Sequence, residues 1–291
     1  MSKQSEEVVF DRHGRLIPVD GETVFNVESE RYYQLSKNTT PLESQVTNMC
    51  CAELGSDSID VPATCASLNE LLQKIQDSDL AGLLEGPKFP FIVGPACAGD
   101  LGTVVTDQVF VKLKDQFEST FAGLHFRVSM QGSIELPQSL RAVAGTGYEK
   151  LMEFLESGHL VIGWMFPECL KEYAVSSQIR ARGRLASNVT PGSGFEVSLG
   201  GLLDIGSALV GTPDMLVNES TYPPVLCASG VAHEDDRYVF NYKSYGNHLE
   251  FWGMPKTLVA GVEQVSEQWN GVVSTFSVLK QKKVKGRACL Q

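Results

Sequence analysis

The chain has 291 residues, 43% hydrophobic and 20% charged, with 27 Gly and 13 Pro; that is apolar surface enough for a folded core, and it excludes a disordered chain. Against 24 Lys and Arg stand 35 Asp and Glu, a net charge of −11 that argues against nucleic acid as the main partner. No window holds the roughly 18 uninterrupted apolar residues of a membrane-spanning helix. The polar, acidic stretch 1–7 is neither a secretory signal nor a basic transit peptide, so the expected compartment is the cytoplasm.

Val8 to Val27 reads as short strands broken by turns, the first at Asp11-Arg12-His13-Gly14, and 43–62 as loop. Ser67 with Glu70 three residues on is a capping box, and Leu68, Leu71, Leu72 and Ile75 make a helical apolar stripe behind it. A further helical turn, Leu80 to Leu84, ends at Gly86-Pro87. From Leu124 to Leu136 every even position is apolar or glycine, including Phe126, Val128, Met130, Ile134 and Leu136, and every odd one is polar: a period-two strand. Upstream, Val109, Val111 and Leu113 alternate with Lys112 and Lys114, so 103–117 reads as its hairpin partner, or else as a helix running through Phe117 and Phe121.

Tyr148 to Ser157 has helical spacing stopped by Gly158, and Leu160 to Phe166 is a continuous apolar run that fits a buried strand. A second alternating pair follows. Ile179, Ala181, Gly183 and Leu185 oppose Arg180, Arg182 and Arg184, and after the turn 190–194 Phe195, Val197, Leu199, Leu203 and Ile205 return at odd positions. Tyr238 to Trp252 is further strand. Leu258, Val262, Val265, Trp269, Val272, Phe276 and Leu279 recur at 4-3 spacing, which predicts a C-terminal amphipathic helix. The expected fold is α+β: a twisted antiparallel sheet with two long amphipathic hairpins, short flanking helices and that terminal helix. The division of the chain is 1–255 and 256–291.

Catalytic signatures are absent. There is no G-x-S-x-G elbow, no Walker A and no H-E-x-x-H, and Gly145-Thr146-Gly147 lacks the third glycine of a dinucleotide loop. The seven cysteines form no C-x-x-C, and no cofactor or structural zinc is expected. His233-Glu234-Asp235-Asp236 offers hard-metal oxygens or is a solvated loop, and Cys227 with His233 is a thiol–imidazole candidate only if the fold brings them together. No enzyme is expected.

Such alternation has two readings. The strands are half-buried members of a soluble sheet, or they are latent membrane strands, which need about 9–11 alternating residues and a closed barrel of many copies. Gly14-Arg15-Leu16-Ile17-Pro18-Val19 near the N-terminus, the Met130-to-Leu136 strand and the helix–strand junction at 149–166 resemble the gasdermin pore-forming domain in its short fungal and microbial form. That resemblance implies binding to acidic phospholipids (phosphoinositides or cardiolipin) and homo-oligomerisation or hetero-oligomerisation with a related chain. It also implies movement from the cytoplasm to the inner face of the plasma membrane, release by a partner chain or an activating protease, and a lytic β-barrel pore causing regulated cell death. The matching lipid-binding positions are Arg12 and Arg15, with Arg31, Tyr32, Tyr33 and Lys37 as a tip loop; Arg180, Arg182 and Arg184, read from the alternation, would give the second hairpin a lipid-contact or lumen face. The terminal helix would cover the pore-forming face or be an ordinary packing helix. The basic tail, Lys280, Lys282, Lys283, Lys285 and Arg287, is worth about 1 kcal/mol per charge near an anionic leaflet, with Cys289 an acylation candidate; otherwise it is a solvated tail. The alternative function is a soluble β-rich binding or interaction protein.

Overall fold

The computed structural model describes residues 8–25, 33, 35, 38–51, 59–130, 135–217, 222–245, 248–256, 258–259, 262–263 and 265–279. The fold is α+β, as the sequence predicts, with helices on both faces of one mixed sheet. Helices α1 (Leu42–Cys51) and α2 (Val61–Gln76) come first, then a 3-10 turn (Ala81–Glu85) and strand β1 (Phe89–Val93). A broken helix follows: α3 (Leu101–Val104), a π-helical turn (Val105–Val109) and α4 (Phe110–Thr120). Next are β2 (His125–Met130), β3 (Leu140–Ala142), α5 (Tyr148–Glu156), β4 (Val161–Lys171), α6 (Val175–Ser187), β5 (Glu196–Leu199) and α7 (Leu202–Gly211). The chain continues as β6 (Val225–Cys227), β7 (Val231–His233), β8 (Tyr238–Tyr245), β9 (His248–Pro255), the short β10 (Leu258–Val259) and β11 (Val262–Glu263), and β12 (Trp269–Val278).

The main sheet runs β1-β4-β12-β6-β8-β9-β2. Strand β12 lies at its centre, antiparallel to β4 on one side; on the other it is parallel to β6 along its first half and antiparallel to β5 along its second. All eleven residues of β4 are buried, as an apolar run covered on both faces requires. One face is packed by α3, α4, α5 and α7, the other by α2 and α6. Helix α2 buries Leu68, Leu71 and Ile75 as the stripe predicts, but it starts earlier, because the Asp60 carboxylate caps the Ala63 N–H and Pro62 suits the first turn. Helix α5 ends at Glu156, with Ser157 as its C-cap and Gly158 at φ 79° beyond, within one residue of the end read from the sequence. The predicted loop at 43–62 is in part helix α1.

Neither long hairpin is present. The 103–117 segment is α3, the π turn and α4: Phe110, Leu113 and Phe117 form a buried stripe at 3 and 4 spacing, while Val111 is left 45% exposed. The helical alternative through Phe117 and Phe121 is the one adopted, with their rings 5.2 Å apart. Its partner is a strand only over His125–Met130, an edge strand paired with β9 on which Val128 is 47% exposed. In the second pair, 179–187 is helix α6. Ala181 and Leu185 fit either period, but they are four apart, and the Arg, Ala and Leu residues around them are strong helix formers. Val197 and Leu199 do lie on a strand, β5, with Phe195 just before it, and Gly200-Gly201 ends it. Leu203 and Ile205 then lie on α7, buried on every side and therefore without a readable period.

The C-terminal helix is also corrected. Residues 269–278 are sheet, with Val272, Ser274 and Phe276 toward α7 and Val273 toward the opposite core. A strand buried on both faces shows apolar residues at nearly every position, from which a 4-3 subset can be drawn by chance. A boundary at 255/256 would cut this sheet between β9 and β12. Among the described residues no helix is long and apolar enough to cross a membrane.

Candidate functional site

The arginines of the second segment are structural. Arg184, 5% exposed, pairs with Glu22 at 2.8 Å and donates to the Ile17 carbonyl at 3.2 Å, tying α6 to the N-terminal segment. Arg182 donates to the Val197 carbonyl at 2.7 Å and the Gly145 carbonyl at 3.2 Å, and burial lowers its pKa. Only Arg180 is exposed. Of the hairpin residues, Val109, Leu113, Leu136, Leu185, Phe195, Val197, Leu199, Leu203 and Ile205 are buried in the two cores, and Met130 and Ile179 pack against them in part. Arg31, Lys37, Ile134, Lys282, Lys283, Lys285 and Cys289 lie outside the described residues.

The cysteine–histidine and metal readings find no geometry. The Cys227 thiol is 2% exposed and burial pushes its pKa up to about 12, so it is held protonated. His233 is engaged elsewhere, its Nδ1 accepting from the Asp235 N–H at 2.9 Å and its Nε2 lying 3.2 Å from the Glu135 carbonyl. Among the described residues no group of three His, Cys, Asp or Glu could hold a metal ion.

One N-terminal arginine is placed differently. The turn predicted at Asp11–Gly14 forms, because the Asp11 carboxylate accepts the N–H groups of His13 (2.8 Å) and Arg15 (2.9 Å) while the Asp11 N–H donates to the Arg15 carbonyl. Gly14 sits at φ 73° against Gly86; a Cβ on Gly14 would stand 2.5 Å from the Gly86 nitrogen, so the loop seats on the 3-10 turn only as glycine. Beyond the turn the Leu16 N–H donates to the Cys169 carbonyl of β4 at 2.9 Å, and the Tyr173 hydroxyl donates to the Leu16 carbonyl at 2.9 Å. The single bond between Leu16 and Cys169 sets the register of their neighbours, Arg15 and Glu168.

Arg15 and Glu168 line one open cleft of about 660 Å³ between the N-terminal loop, the start of α1, the 85–88 segment and β4. Among the described residues neither the Arg15 guanidinium nor the Glu168 carboxylate has a hydrogen-bond or ion-pair partner, and they are not paired with each other; the Arg15 Nε is buried and unsatisfied. Glu168 is only 9% exposed. Two further charges, Glu85 and Lys88, bring the four to balance, and Trp164, Leu42 and Pro87 supply apolar wall. The amides are already committed: Asn38 bonds the Lys88 carbonyl, and Gln45 bonds Asn38 and the Thr40 carbonyl and accepts from the Thr212 hydroxyl, pinning the rim to α7's end. The volume falls in the range of small-molecule sites, while the lining is more polar than is usual for them.

Sequence reasoning singled out Arg15 but not Glu168. The signal was there, since Glu168 lies two residues past the continuous apolar run at Leu160–Phe166. A carboxylate in a fully covered strand demands a partner, and none is supplied by its neighbours in the chain. Comparison with known proteins finds no family model that matches the chain, no similar curated protein and no similar solved structure, so the gasdermin resemblance rests on the quoted residues alone.

Proposed function

We propose that this chain is a binding protein whose ligand occupies the cleft between the N-terminal loop and β4. The observation that carries the reading is the pair of unpartnered opposite charges, Arg15 and Glu168, held in a common cleft by the Leu16–Cys169 backbone bond. A folded chain seldom leaves a buried guanidinium nitrogen unsatisfied beside an unpartnered carboxylate without a use for them. Thermal-shift measurements with a panel of small anions, amines and amino acids test it, comparing the wild type with Arg15→Ala/Glu168→Ala. At a hundred times Kd a ligand adds about 2.7 kcal/mol. At least one chemical class should raise the wild-type Tm and leave the double variant unmoved. A panel in which no compound distinguishes the two proteins would refute the reading.

A second reading, gasdermin-like pore formation on acidic phospholipid membranes by an oligomer, is favoured by one specific observation. The helix over 101–120 carries Thr103, Val104, Val105, Thr106, Val109 and Val111, β-branched residues that resist helix; it widens to π geometry at Val105–Val109, and α4 beyond it packs on the edge strand β2. That unit would have to refold into a membrane hairpin. The other unit offers no such opening, since all ten residues of α7 are buried in the core. Dye release from cardiolipin- or phosphoinositide-containing vesicles tests this reading: release by wild-type protein supports it, and intact vesicles with full-length and tail-trimmed protein remove it.

A further inference from the structure

The charges in the cleft say more than that something binds. Had the ligand been a simple anion, a purely cationic site would serve it best, because carboxylates at the wall would repel it. Here, among the described residues, Arg15 and Lys88 are balanced by Glu168 and Glu85, so these four charges favour neither anions nor cations. Nor do the two central groups neutralise one another, although they flank residues joined backbone to backbone: Arg15 precedes Leu16 and Glu168 precedes Cys169. The segments bearing them are fixed on both sides. The Asp11 turn and the Gly14–Gly86 contact hold the arginine's segment, and β4, hydrogen-bonded to β1 and β12, holds the glutamate's. Two charges of opposite sign, unpartnered and carried on fixed segments, are met together by a molecule that carries both signs itself, without importing net charge into the cleft.

We infer that the cleft binds a small zwitterion, a primary ammonium and a phosphate or carboxylate in one molecule, with the anionic group on Arg15 and the ammonium on Glu168. This rests on the proposed binding function and names the ligand class for the same site. The guanidinium fork suits a phosphate or carboxylate, Glu168 is acceptor-only when ionised and so suits an ammonium, and Trp164 with Leu42 gives apolar surface for a short linking chain. The same chemistry is found in free molecules and in the ethanolamine head group of a phospholipid, and the experiment separates the two sources.

Isothermal titration uses full-length protein with O-phosphoethanolamine and, as half-ligands, inorganic phosphate and ethanolamine. Co-sedimentation uses vesicles of phosphatidylethanolamine in phosphatidylcholine against phosphatidylcholine alone. The zwitterion should bind at least tenfold more tightly than either half. Arg15→Gln and Glu168→Gln should each weaken it by about tenfold to a hundredfold, the range of a lost charge-assisted contact, while Arg15→Lys recovers part of the loss. Circular-dichroism melts confirm that each variant is folded. Binding of the free compound without ethanolamine-dependent sedimentation identifies a soluble ligand; sedimentation as well identifies a lipid head group. If phosphate binds as tightly as the zwitterion and Glu168→Gln changes nothing, the zwitterion is wrong while the binding cleft stands. If none of the probes binds the wild type, the inference is wrong whatever the wider panel finds.

Discussion

Asp204, in the first turn of α7, is fully buried between that helix and β12, where its carboxylate accepts the Gly201 N–H at 2.8 Å and the Ser274 hydroxyl at 2.6 Å. Burial outweighs these bonds and raises its pKa from 3.8 to about 6. A carboxyl with a folded pKa above its unfolded value stabilises the fold when protonated. The benefit is whole below about pH 4 and disappears as pH climbs through 6. Two pKa units correspond to about 3 kcal/mol, so at pH 7.5 the ionised group costs the fold roughly that much relative to its protonated form. Asp204→Asn keeps the shape and an acceptor for Gly201, and its amide donates to Ser274 instead of accepting. Urea unfolding of both proteins from pH 4 to pH 8 should show wild-type stability falling relative to the variant by about 2–3 kcal/mol, mostly between pH 4 and 6.5, with the variant the more stable at pH 7.5. A stability difference constant across that range, with Asp204→Asn the weaker protein throughout, would refute the reasoning, since the two hydrogen bonds would then outweigh the cost of burying the charge.

Glu22→Gln strips the partner from a buried Arg184 and should cost about 3–5 kcal/mol by urea unfolding, whereas Glu22→Leu/Arg184→Met should recover most of it; equal losses would show that the charge is not the cause. Phe276→Ala at the centre of β12 should cost about 3–5 kcal/mol, and a loss below 1 kcal/mol would contradict the placement of that strand mid-sheet. Gly14→Ala forces φ 73° on a residue with a Cβ and drives that atom at Gly86; it should destabilise by about 1–3 kcal/mol and weaken binding in the cleft, and a variant unchanged in both would show that the loop does not set Arg15. In native protein at pH 8 a thiol reagent should modify Cys65 well before Cys97 or Cys227, whose pKa values burial raises to about 11 and 12; simultaneous labelling by mass spectrometry would contradict their burial.

The α+β class, the buried strand at 160–166, helix α5, the stripe of α2 and the strand character of 238–252 were legible because each is amphipathic or sharply bounded; that the last is a pair, β8 and β9, was not legible. The two alternating hairpins misled for a definite reason. A period-two pattern marks one buried face, but in 179–185 Ala181 and Leu185, four apart, also fall on one side of a helix, and only the strong helix propensity of the Arg, Ala and Leu residues separated the two. In 103–117 the decisive residues were Phe110 and Phe117, outside the Val109-Val111-Leu113 alternation, which find Phe126, Phe251 and Phe121 in the fold. Strand β12 could not be told from a helix, since contacts from both faces erase periodicity. Of the cleft, Arg15 was readable from its motif. Glu168 carried a local signal as a carboxylate just past a buried apolar run, but its place beside Arg15 was not readable, because what brings the two together is a bond spanning more than 150 residues, and no local pattern encodes it.

The most direct test is nuclear magnetic resonance of protein labelled with ¹⁵N at the arginine side chains, titrated with O-phosphoethanolamine. The Arg15 Nε–H, unsatisfied in the free chain, should shift saturably in the wild type and stay still in Glu168→Gln. An Arg15 signal unmoved while others respond, or a shift as large without the Glu168 charge, would contradict the claim that these two side chains act together on one ligand.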